Sequence, residues 1–302
     1  MEHKDPTMHW EELDQKMKDS KQEFCSLAHL VIYENGLVMP RFFAESTSKR
    51  LRDFKLRDDD IWVLSFPKTG TTLTLEMVWS IVNDVDLTKV RTVPHLVRSP
   101  YIESGCVFPP NIKELAESEL VAENLADPIT FVENMSGRRV IKSHLPLEFL
   151  PPDILEKCKV VYVGRNVKDT AVSYYYWLKF LGVYWGDFNS FQNSFKDGVL
   201  VYGSYWNNIM SAWNKRNHPN LKFIWYEDLH KNKKAIINDL CDFLQHPLTT
   251  EKKIELEEYL QFENMKQNKN ATPLAGIKWP TAQEGSAFRK GIIGDWKNHF
   301  LE

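Results

Sequence analysis

The stretch Asp60-Ile-Trp-Val-Leu-Ser-Phe-Pro-Lys-Thr-Gly-Thr-Thr72 decides the fold of this 302-residue chain. It begins as a short apolar run, Asp60 to Phe66, with the length and composition of a buried strand. Pro67-Lys68-Thr69-Gly70 breaks the run, and apolar residues then recur at near-helical spacing between Leu73 and Val82. The sequence therefore predicts a strand, a tight loop and a helix, in that order.

The same alternation of strand and helix continues along the chain. The patterns predict further strands at Arg139–Lys142, Lys159–Val163 and Leu221–Tyr226, and helices at Asp169–Leu181 and Lys233–Leu244. Such alternation is typical of a parallel sheet covered on both faces. No long linker rich in Pro, Gly or Ser divides the chain, so we expect residues 1–302 to form a single α/β domain. Its central, mainly parallel sheet is flanked by helices around a P-loop-like strand-loop-helix, and residues 1–50 have no assigned role.

Composition narrows the class of partner. The chain is 43% hydrophobic, and its 38 basic and 41 acidic residues leave a net charge of -3. We therefore expect no nucleic-acid partner, and any anion must be held by a local cluster of cations. No apolar run approaches the roughly 20 residues that span a bilayer, so no membrane association is predicted.

Cysteine and histidine spacing narrows the chemistry. The four cysteines form no CxxC pair and the nine histidines form no HExxH motif. Reduced thiols and a polar amino-terminal stretch unlike a secretory signal predict a cytoplasmic protein with no metal.

The predicted loop has the chemistry of an anion site. The N–H groups in the first turn of a helix lack intrahelical partners and carry partial positive charge. Gly70 allows close approach, Lys68 adds a full charge, and Thr71 and Thr72 add hydroxyl donors. The GxxxxGK[ST] spacing of a nucleotide P-loop is absent. An ordinary turn with an N-capping threonine is the alternative.

A second cationic cluster is predicted from residues far along the chain. Arg165 follows the Lys159–Val163 strand, and Ser173 lies about two helical turns further on. Phe288-Arg289-Lys290-Gly291 places two cations beside a glycine. A ligand with two separate phosphate-like groups would explain both clusters.

Four blocks of residues resemble the cytosolic sulfotransferases, which use 3'-phosphoadenosine 5'-phosphosulfate (PAPS) as sulfonate donor and release PAP. The blocks are Phe66–Thr72, Lys142-Ser-His-Leu-Pro146, Arg165–Asp169 running to Tyr175, and Arg289-Lys-Gly-Ile-Ile-Gly-Asp-Trp296. They occur in the family's order from about Asp60 onward. The resemblance implies sulfonate transfer to the hydroxyl of a small hydrophobic phenol or alcohol, with steroid-like and retinoid-like acceptors included.

The resemblance also implies roles for individual residues. His144 is similar to the family's general base, with an expected ordinary pKa near 6.5, and the other expected catalytic residues are Lys68, Lys142 and Ser173. The expected cofactor-binding residues are Lys68, Thr69, Gly70, Thr71, Thr72, Leu73, Arg165, Ser173, Tyr226, Phe262, Arg289, Lys290 and Gly291. The expected acceptor-binding residues are Tyr101, Trp177 and His144.

Three features depart from the family pattern. Leu73 stands where the family usually has a tryptophan that stacks on adenine, and Leu260 stands where a threonine is expected. After Asp295–Phe300 the family normally continues into a dimerisation segment, whereas this sequence ends at Glu302. The family's dimer contact therefore cannot be transferred, and the oligomeric state stays open.

Other functions remain open at the level of sequence. One is a nucleotide kinase with an atypical P-loop, which would need Mg²⁺. Another is a relative that binds a hydrophobic ligand without catalysis. A third is a dehydratase-type relative, in which transient sulfonation leads to loss of water from an alcohol.

Overall fold

The computed structural model describes residues 9–13, 29–109, 111–279 and 288–300. The strands are β1 (Trp10–Glu12), β2 (Leu30–Tyr33), β3 (Val38–Pro40), β4 (Ile61–Leu64), β5 (Val140–Ser143), β6 (Lys159–Gly164) and β7 (Leu221–Trp225). The α-helices are α1 (Ser48–Arg52), α2 (Thr71–Val82), α3 (Leu87–Thr92), α4 (His95–Arg98), α5 (Ser104–Val107), α6 (Glu119–Ala126), α7 (Pro128–Asn134), α8 (Ile154–Lys157), α9 (Val167–Phe180), α10 (Phe188–Lys196), α11 (Tyr205–Trp213), α12 (Tyr226–Lys231), α13 (Lys233–Phe243), α14 (Thr250–Tyr259) and α15 (Phe262–Gln267).

Shorter helical turns complete the secondary structure. A π-helical turn covers Phe43–Thr47, and 3₁₀ helices cover Ile112–Leu115, Leu147–Phe149, Lys269–Ala271 and Asp295–Asn298. Within the described ranges no helix is long and apolar enough to cross a membrane.

The central sheet is parallel and has the strand order β5-β4-β6-β7. This confirms the predicted α/β class and the strand-loop-helix built from β4 and α2. In the register of the sheet, Leu64 at the end of β4 lies opposite Ser143 of β5 and Tyr162 of β6. The loops that follow β4, β5 and β6 therefore meet at one edge, where open α/β sheets bind ligands.

Alternate residues of β4 face two different cores. Trp62 and Leu64 pack in a core shared with α9, α10 and α11. Ile61 and Val63 pack in a second core shared with α2, α13 and α14. All four side chains are buried, which is why β4 appears in the sequence as a continuous apolar run.

The first fifty residues contribute a second, antiparallel sheet with the order β1-β2-β3. Val31 of β2 and Met39 of β3 are fully buried in the core that contains Trp62. These strands have only three or four residues each, so they are too short for a clear alternation of apolar and polar residues. The sequence analysis missed them for that reason.

A buried ion pair joins two strands at the edge opposite the loops. Asp60 precedes β4 and Arg139 precedes β5, and Arg139 Nε donates to Asp60 Oδ1 at 2.6 Å. Both residues are almost fully buried. This pair links the starts of the two strands, away from the ends that carry the candidate site.

Candidate active site

The loop between β4 and α2 has a backbone that only glycine accommodates at one position. Gly70 has a φ of +110°, and a Cβ added there would lie 2.4 Å from Cδ2 of Tyr226. Gly70 directly precedes α2, and among the described residues no side chain caps this helix. The N-capping threonine considered above is therefore wrong. The first-turn N–H groups of α2 are available to an oxyanion instead.

Thr69 holds this loop in place from beneath. Its hydroxyl donates to the carbonyl oxygens of Phe66 at 2.8 Å and of Val163 at 2.9 Å, and the residue is fully buried. Its side chain thus ties the loop to β6 and does not line the cavity described below. A cofactor contact through the Thr69 backbone stays a prediction.

His144 follows β5 and carries a defined tautomer. Its Nδ1 lies 2.8 Å from the carbonyl oxygen of Ser65, and a carbonyl can only accept, so Nδ1 carries the proton. Nε2 is then the basic nitrogen, and we find no hydrogen-bond partner for it in the described part of the chain. Tyr101 and Tyr202 pack edge-on against the ring, with centroid distances of 5.2 and 5.4 Å.

The pKa of His144 departs from the ordinary value expected from the sequence. Burial lowers this pKa well below 6.5, and the ammonium groups of Lys142 and Lys68 lower it further, against the opposing effect of the Ser65 carbonyl. The imidazole is therefore neutral at neutral pH and can accept a proton, but the lower pKa also makes Nε2 a weaker base than an ordinary histidine.

An added segment at the edge of the sheet positions Tyr101 and Glu103. Ile102 N–H donates to the Lys142 carbonyl at 3.1 Å, and Lys142 N–H donates to the Pro100 carbonyl at 2.9 Å. This pairing adds the 100–102 segment beside β5, at the edge of the sheet. It places Lys142 Nζ 4.0 Å from the ring centroid of Tyr101. Glu103 is buried and accepts the His144 N–H at 2.6 Å. Burial raises the pKa of Glu103 and lowers the pKa of Lys142.

Lys68 belongs to a cluster of positively charged side chains. Its Nζ lies 4.1 Å from the ring centroid of Trp177. Burial, followed by the charges of Lys142, Arg165 and Arg289, lowers the pKa of Lys68 to about 7. Cations held this close repel one another, so the cluster is suited to a bound anion that neutralises them.

Arg165 connects the loop before α2 to the carboxy-terminal segment. Its Nη1 donates to the Lys68 carbonyl at 3.2 Å and its Nη2 donates to the Ile292 carbonyl at 3.3 Å. The guanidinium lies 4.3 Å from the Tyr226 ring centroid. Its Nε is buried without a partner among the described residues, which is the state expected of a donor that awaits a ligand.

The carboxy-terminal segment brings the last predicted cations to the site. Gly291 has a φ of +66°, and a Cβ added there would lie 2.2 Å from Cδ2 of Phe262. Asp169 in the first turn of α9 accepts the N–H groups of Gly294 at 2.7 Å and of Trp296 at 3.0 Å. The segment is therefore anchored on the helix that follows Arg165.

A single cavity of about 1020 Å³ contains nearly all of the predicted site residues. Those that line it are Lys68, Gly70, Thr71, Thr72, Leu73, Tyr101, Lys142, His144, Arg165, Ser173, Trp177, Tyr226, Phe262, Arg289, Lys290 and Gly291. The side chain of Thr69 is the exception. The cavity also extends between apolar side chains such as Phe42, Phe108 and Leu125.

The residues at the two family departures also line the cavity. Leu73 and Leu260 both contact it, and both belong to or pack on the second core. They offer apolar surface where the family usually has tryptophan and threonine. Tyr226 and Phe262 are the aromatic rings that remain beside the glycines of the two cationic segments.

Sequence reasoning missed five residues that shape the site. Ser65, Asp169 and Asp295 lie in or beside the quoted blocks, so their position was a usable signal. Glu103 lies two residues after Tyr101 and could have been found in the same way. No signal in the sequence pointed to Tyr202. In the structure its φ is +73°, which is unusual for a residue other than glycine.

Comparison with known proteins identifies the class that this fold and site define. A family profile described as a sulfotransferase domain matches residues 58–302. The chain is 32% identical over 270 residues to sulfotransferase 1E1 of Bos taurus, covering 88% of this chain and 85% of that protein. It is 34% identical over 265 residues to luciferin sulfotransferase of Photinus pyralis, covering 84% of this chain and 70% of that protein.

Solved structures agree with the sequence relatives. Retinol dehydratase in a complex with retinol and PAP superimposes with a TM-score of 0.88 at 26% identity, covering 97% of this chain and 92% of that chain. A mouse sulfotransferase complexed with PAP superimposes with a TM-score of 0.68 at 25% identity, covering 91% of this chain and 89% of that chain.

The chain belongs to the sulfotransferase family. The predicted fold class and the predicted enzyme class, a PAPS-dependent sulfotransferase, are confirmed. The family match decides against the nucleotide-kinase alternative.

Proposed function

We propose that this protein transfers a sulfonate group from PAPS to the hydroxyl of a small hydrophobic phenol or alcohol, with His144 as general base. One observation carries the proposal. A single cavity contains two cationic segments and a neutral imidazole whose Nδ1 is occupied by the Ser65 carbonyl. That arrangement leaves Nε2 as the proton acceptor beside the cations.

The residues present fit PAPS as the donor. We assign Lys68, the N–H groups of the 70–72 segment and the threonine hydroxyls to the 5'-phosphosulfate, and Arg165, Ser173, Arg289 and Lys290 to the 3'-phosphate. The unpartnered Nε of Arg165 supports this assignment. Tyr226 and Phe262 lie tightly against Gly70 and Gly291, so an adenine between the two anionic ends would meet aromatic surface. When bound, PAPS supplies an electrophilic sulfonate and a phosphate leaving group.

The side chains divide the work of the reaction. Nε2 of His144 takes the proton of the acceptor hydroxyl as that oxygen attacks. Lys68 and Lys142 neutralise negative charge on the transferred group and on the leaving phosphate. Glu103 fixes the His144 backbone, and the Asn208 side chain donates to the His144 carbonyl at 2.8 Å. The base is thus held rigidly, as in-line transfer requires.

The acceptor class follows from the lining near His144. Tyr101, Tyr202 and Trp177 surround the imidazole and the Lys68 ammonium with aromatic rings. Further apolar residues line the same cavity, so a ring-containing or elongated apolar alcohol has matching surface. Luciferin sulfotransferase of Photinus pyralis is a relative that, by its name, uses luciferin as acceptor.

A dehydratase outcome is the second candidate function. It is favoured by the similarity to retinol dehydratase over 97% of this chain, a structure solved with retinol and PAP. In that case the carbon–oxygen bond of the sulfonated allylic alcohol would break, sulfate would leave and a proton would be lost from a neighbouring carbon, so the product would be an alkene with one more double bond instead of a sulfate ester.

Incubation with ³⁵S-labelled PAPS and separate panels of phenols, saturated alcohols and allylic alcohols tests both functions. We expect labelled esters from phenols or saturated alcohols. Unlabelled, dehydrated product from allylic alcohols alone would favour the dehydratase. If none of the acceptors in these panels supports turnover of PAPS, the proposal is contradicted.

The His144→Ala variant tests the base in the same assay. General-base assistance is worth about 100- to 10,000-fold, so we expect kcat to fall by about 100-fold or more. The affinity for PAP, measured by calorimetry, should change little. His246→Ala is the matched control, because His246 pairs with Asp84 at the surface and does not line the cavity. Full activity of His144→Ala would remove His144 from the mechanism.

We also propose a cytoplasmic location. Cys106, Cys158 and Cys241 are free and buried, which fits a reducing compartment. Fractionation of cells that express the tagged chain tests this location.

A further inference from the structure

Asp295 is a buried carboxylate on which four side-chain donors converge. Its Oδ2 accepts from Arg289 Nη1 at 2.6 Å and from His299 Nε2 at 3.1 Å. Its Oδ1 accepts from Lys290 Nζ at 2.9 Å and from Asn298 Nδ2 at 3.0 Å. Asp295 itself is 2% exposed and does not line the cavity, whereas Arg289 and Lys290 do. The carboxylate therefore contacts the two cations on the side that faces away from the cavity.

The ionised form of Asp295 is the one that this environment favours. Burial alone would raise its pKa, but hydrogen bonds from Lys290, Asn298 and Arg289 outweigh burial and hold the pKa below its ordinary value. The negative charge of Asp295 thus lies between the positive charges of Arg289 and Lys290, which would otherwise repel each other.

The surrounding backbone keeps this carboxylate in place. Asp169 accepts the N–H groups of Gly294 and Trp296, on either side of Asp295. Arg165 donates to the Ile292 carbonyl at 3.3 Å. The backbone around Asp295 is therefore tied to α9 and to the arginine that follows β6.

Asp295 leaves donors of both cations for a ligand. An arginine has five N–H donors and a lysine has three, and the carboxylate engages one side-chain nitrogen of each. Arg289 is held on its other side by the ring of Tyr176, whose centroid lies 4.8 Å from the guanidinium carbon. Because both side chains line the cavity, donors that Asp295 does not engage can meet an anion there.

We propose that Asp295 is a positioning residue that orients Arg289 and Lys290 toward the 3'-phosphate, and that it thereby sets the preference for a 3'-phosphorylated nucleotide. This inference rests on the donor assigned under the proposed function. Asp295 contacts neither donor nor acceptor, so its effect depends on the chemistry of the ligand: a nucleotide without a 3'-phosphate should not depend on it.

Calorimetric titration of the full chain with PAP and with adenosine 5'-phosphate tests the proposal, because the two ligands differ by the 3'-phosphate alone. In Asp295→Asn we expect PAP affinity to fall at least about tenfold, by analogy with metal sites, where loss of the partner of a ligating side chain costs about 10- to 100-fold in affinity. The affinity for adenosine 5'-phosphate should stay within about twofold. A parallel loss for both ligands, an unchanged PAP affinity, or tighter PAP binding through removal of a competing anion would each overturn it.

Two further variants make the outcome decisive. Asp127→Asn removes a surface carboxylate paired with Arg50 outside the cavity and should leave both affinities unchanged. If Asp295→Asn does not fold, Asn298→Ala removes one neutral donor from the carboxylate, and we expect a smaller loss that is again confined to PAP; equal effects on both ligands would overturn the proposal. If the wild type itself does not prefer PAP, the assigned 3'-phosphate site fails, whereas a wild-type preference that Asp295→Asn retains rejects the positioning role alone.

Discussion

At the scale of single residues, burial sets the protonation states on which the chemistry depends. His144 is buried beside two lysines, so its imidazole is neutral. Lys68 is half-buried, and the desolvation of its amino group together with the charges of Lys142, Arg165 and Arg289 lowers its pKa to about 7. At neutral pH the imidazole of His144 is therefore unprotonated, and the amino group of Lys68 is only partly protonated. An anion bound beside Lys68 would raise its protonated fraction.

These shifts predict an unusual pH profile for kcat/KM with respect to the donor, which reports the free enzyme. As pH rises through about 7, Lys68 loses its proton and with it the charge that attracts the phosphosulfate, so kcat/KM should fall on the alkaline side. On the acid side activity should persist below pH 6.5, because the pKa of His144 is lower than that of an ordinary histidine.

Lys68→Arg is the control for the alkaline limb, because a guanidinium keeps its charge over this range. We expect its decline to shift to higher pH even if its rate is lower. An acid limb centred on 6.5, or an identical alkaline limb in Lys68→Arg, would contradict the assignment of these pKa values.

At the scale of elements, two aromatic rings are seated on two glycines of different segments. Tyr226 begins α12 and packs on Gly70, and Phe262 begins α15 and packs on Gly291. Each glycine has a positive φ and no room for a Cβ. The strand-loop-helix and the carboxy-terminal segment thus each pack a glycine of the candidate site against a ring from another element.

Gly291→Ala should separate Phe262 from the carboxy-terminal segment. Because the added Cβ would lie 2.2 Å from the ring, one of the two must move by about an ångström, and displacements of that size can cost about 100-fold in rate. We expect such a loss in kcat/KM for PAPS in steady-state assays.

Gly137→Ala is the matched control for this substitution. Gly137 has a similar φ of +72°, but nothing lies within 4 Å of an added Cβ. It should therefore show only backbone strain, about 1–2 kcal/mol of stability, with unchanged kinetics. Equal kinetics in the two variants would show that the contact with Phe262 does not matter.

At the scale of the whole molecule, stability and function lie at opposite edges of the parallel sheet. The Asp60–Arg139 pair joins the starts of β4 and β5, whereas the cavity lies beyond their ends. Arg139 also donates to the Lys55 carbonyl at 3.0 Å. The pair is therefore assigned to the folded state and not to catalysis.

Arg139→Met should lower the free energy of unfolding by about 3–5 kcal/mol, because it leaves the Asp60 carboxylate buried without its partner. Urea denaturation measures this loss, and PAP affinity measured under folding conditions should be unchanged. Arg50→Met, which breaks the exposed pair with Asp127, should cost less than about 1 kcal/mol. A similar cost for both variants would contradict the role assigned to the buried pair.

Local sequence determined the strands of the central sheet, the helices predicted beside them and the chemical types of the site residues. The apolar run before Phe66, the break at Pro67–Gly70 and the helical spacing after Leu73 predicted β4, its loop and α2, because periodicity reflects which faces are buried. The cations at Lys68, Arg165 and Arg289 could also be named from sequence. The two clusters by themselves predicted one ligand with two phosphate-like groups, and the resemblance to a family supplied the chemical identity of that ligand.

Only the tertiary structure decided how these residues act together. The pairing of Ile102 with Lys142, the bond from Arg165 to Ile292 and the carboxylate of Asp295 behind two cations depend on contacts between segments that different elements bring together. The amino-terminal sheet and the left-handed Tyr202 depend on such contacts as well. A local pattern records burial along one element, whereas these features arise from packing between distant parts of the chain.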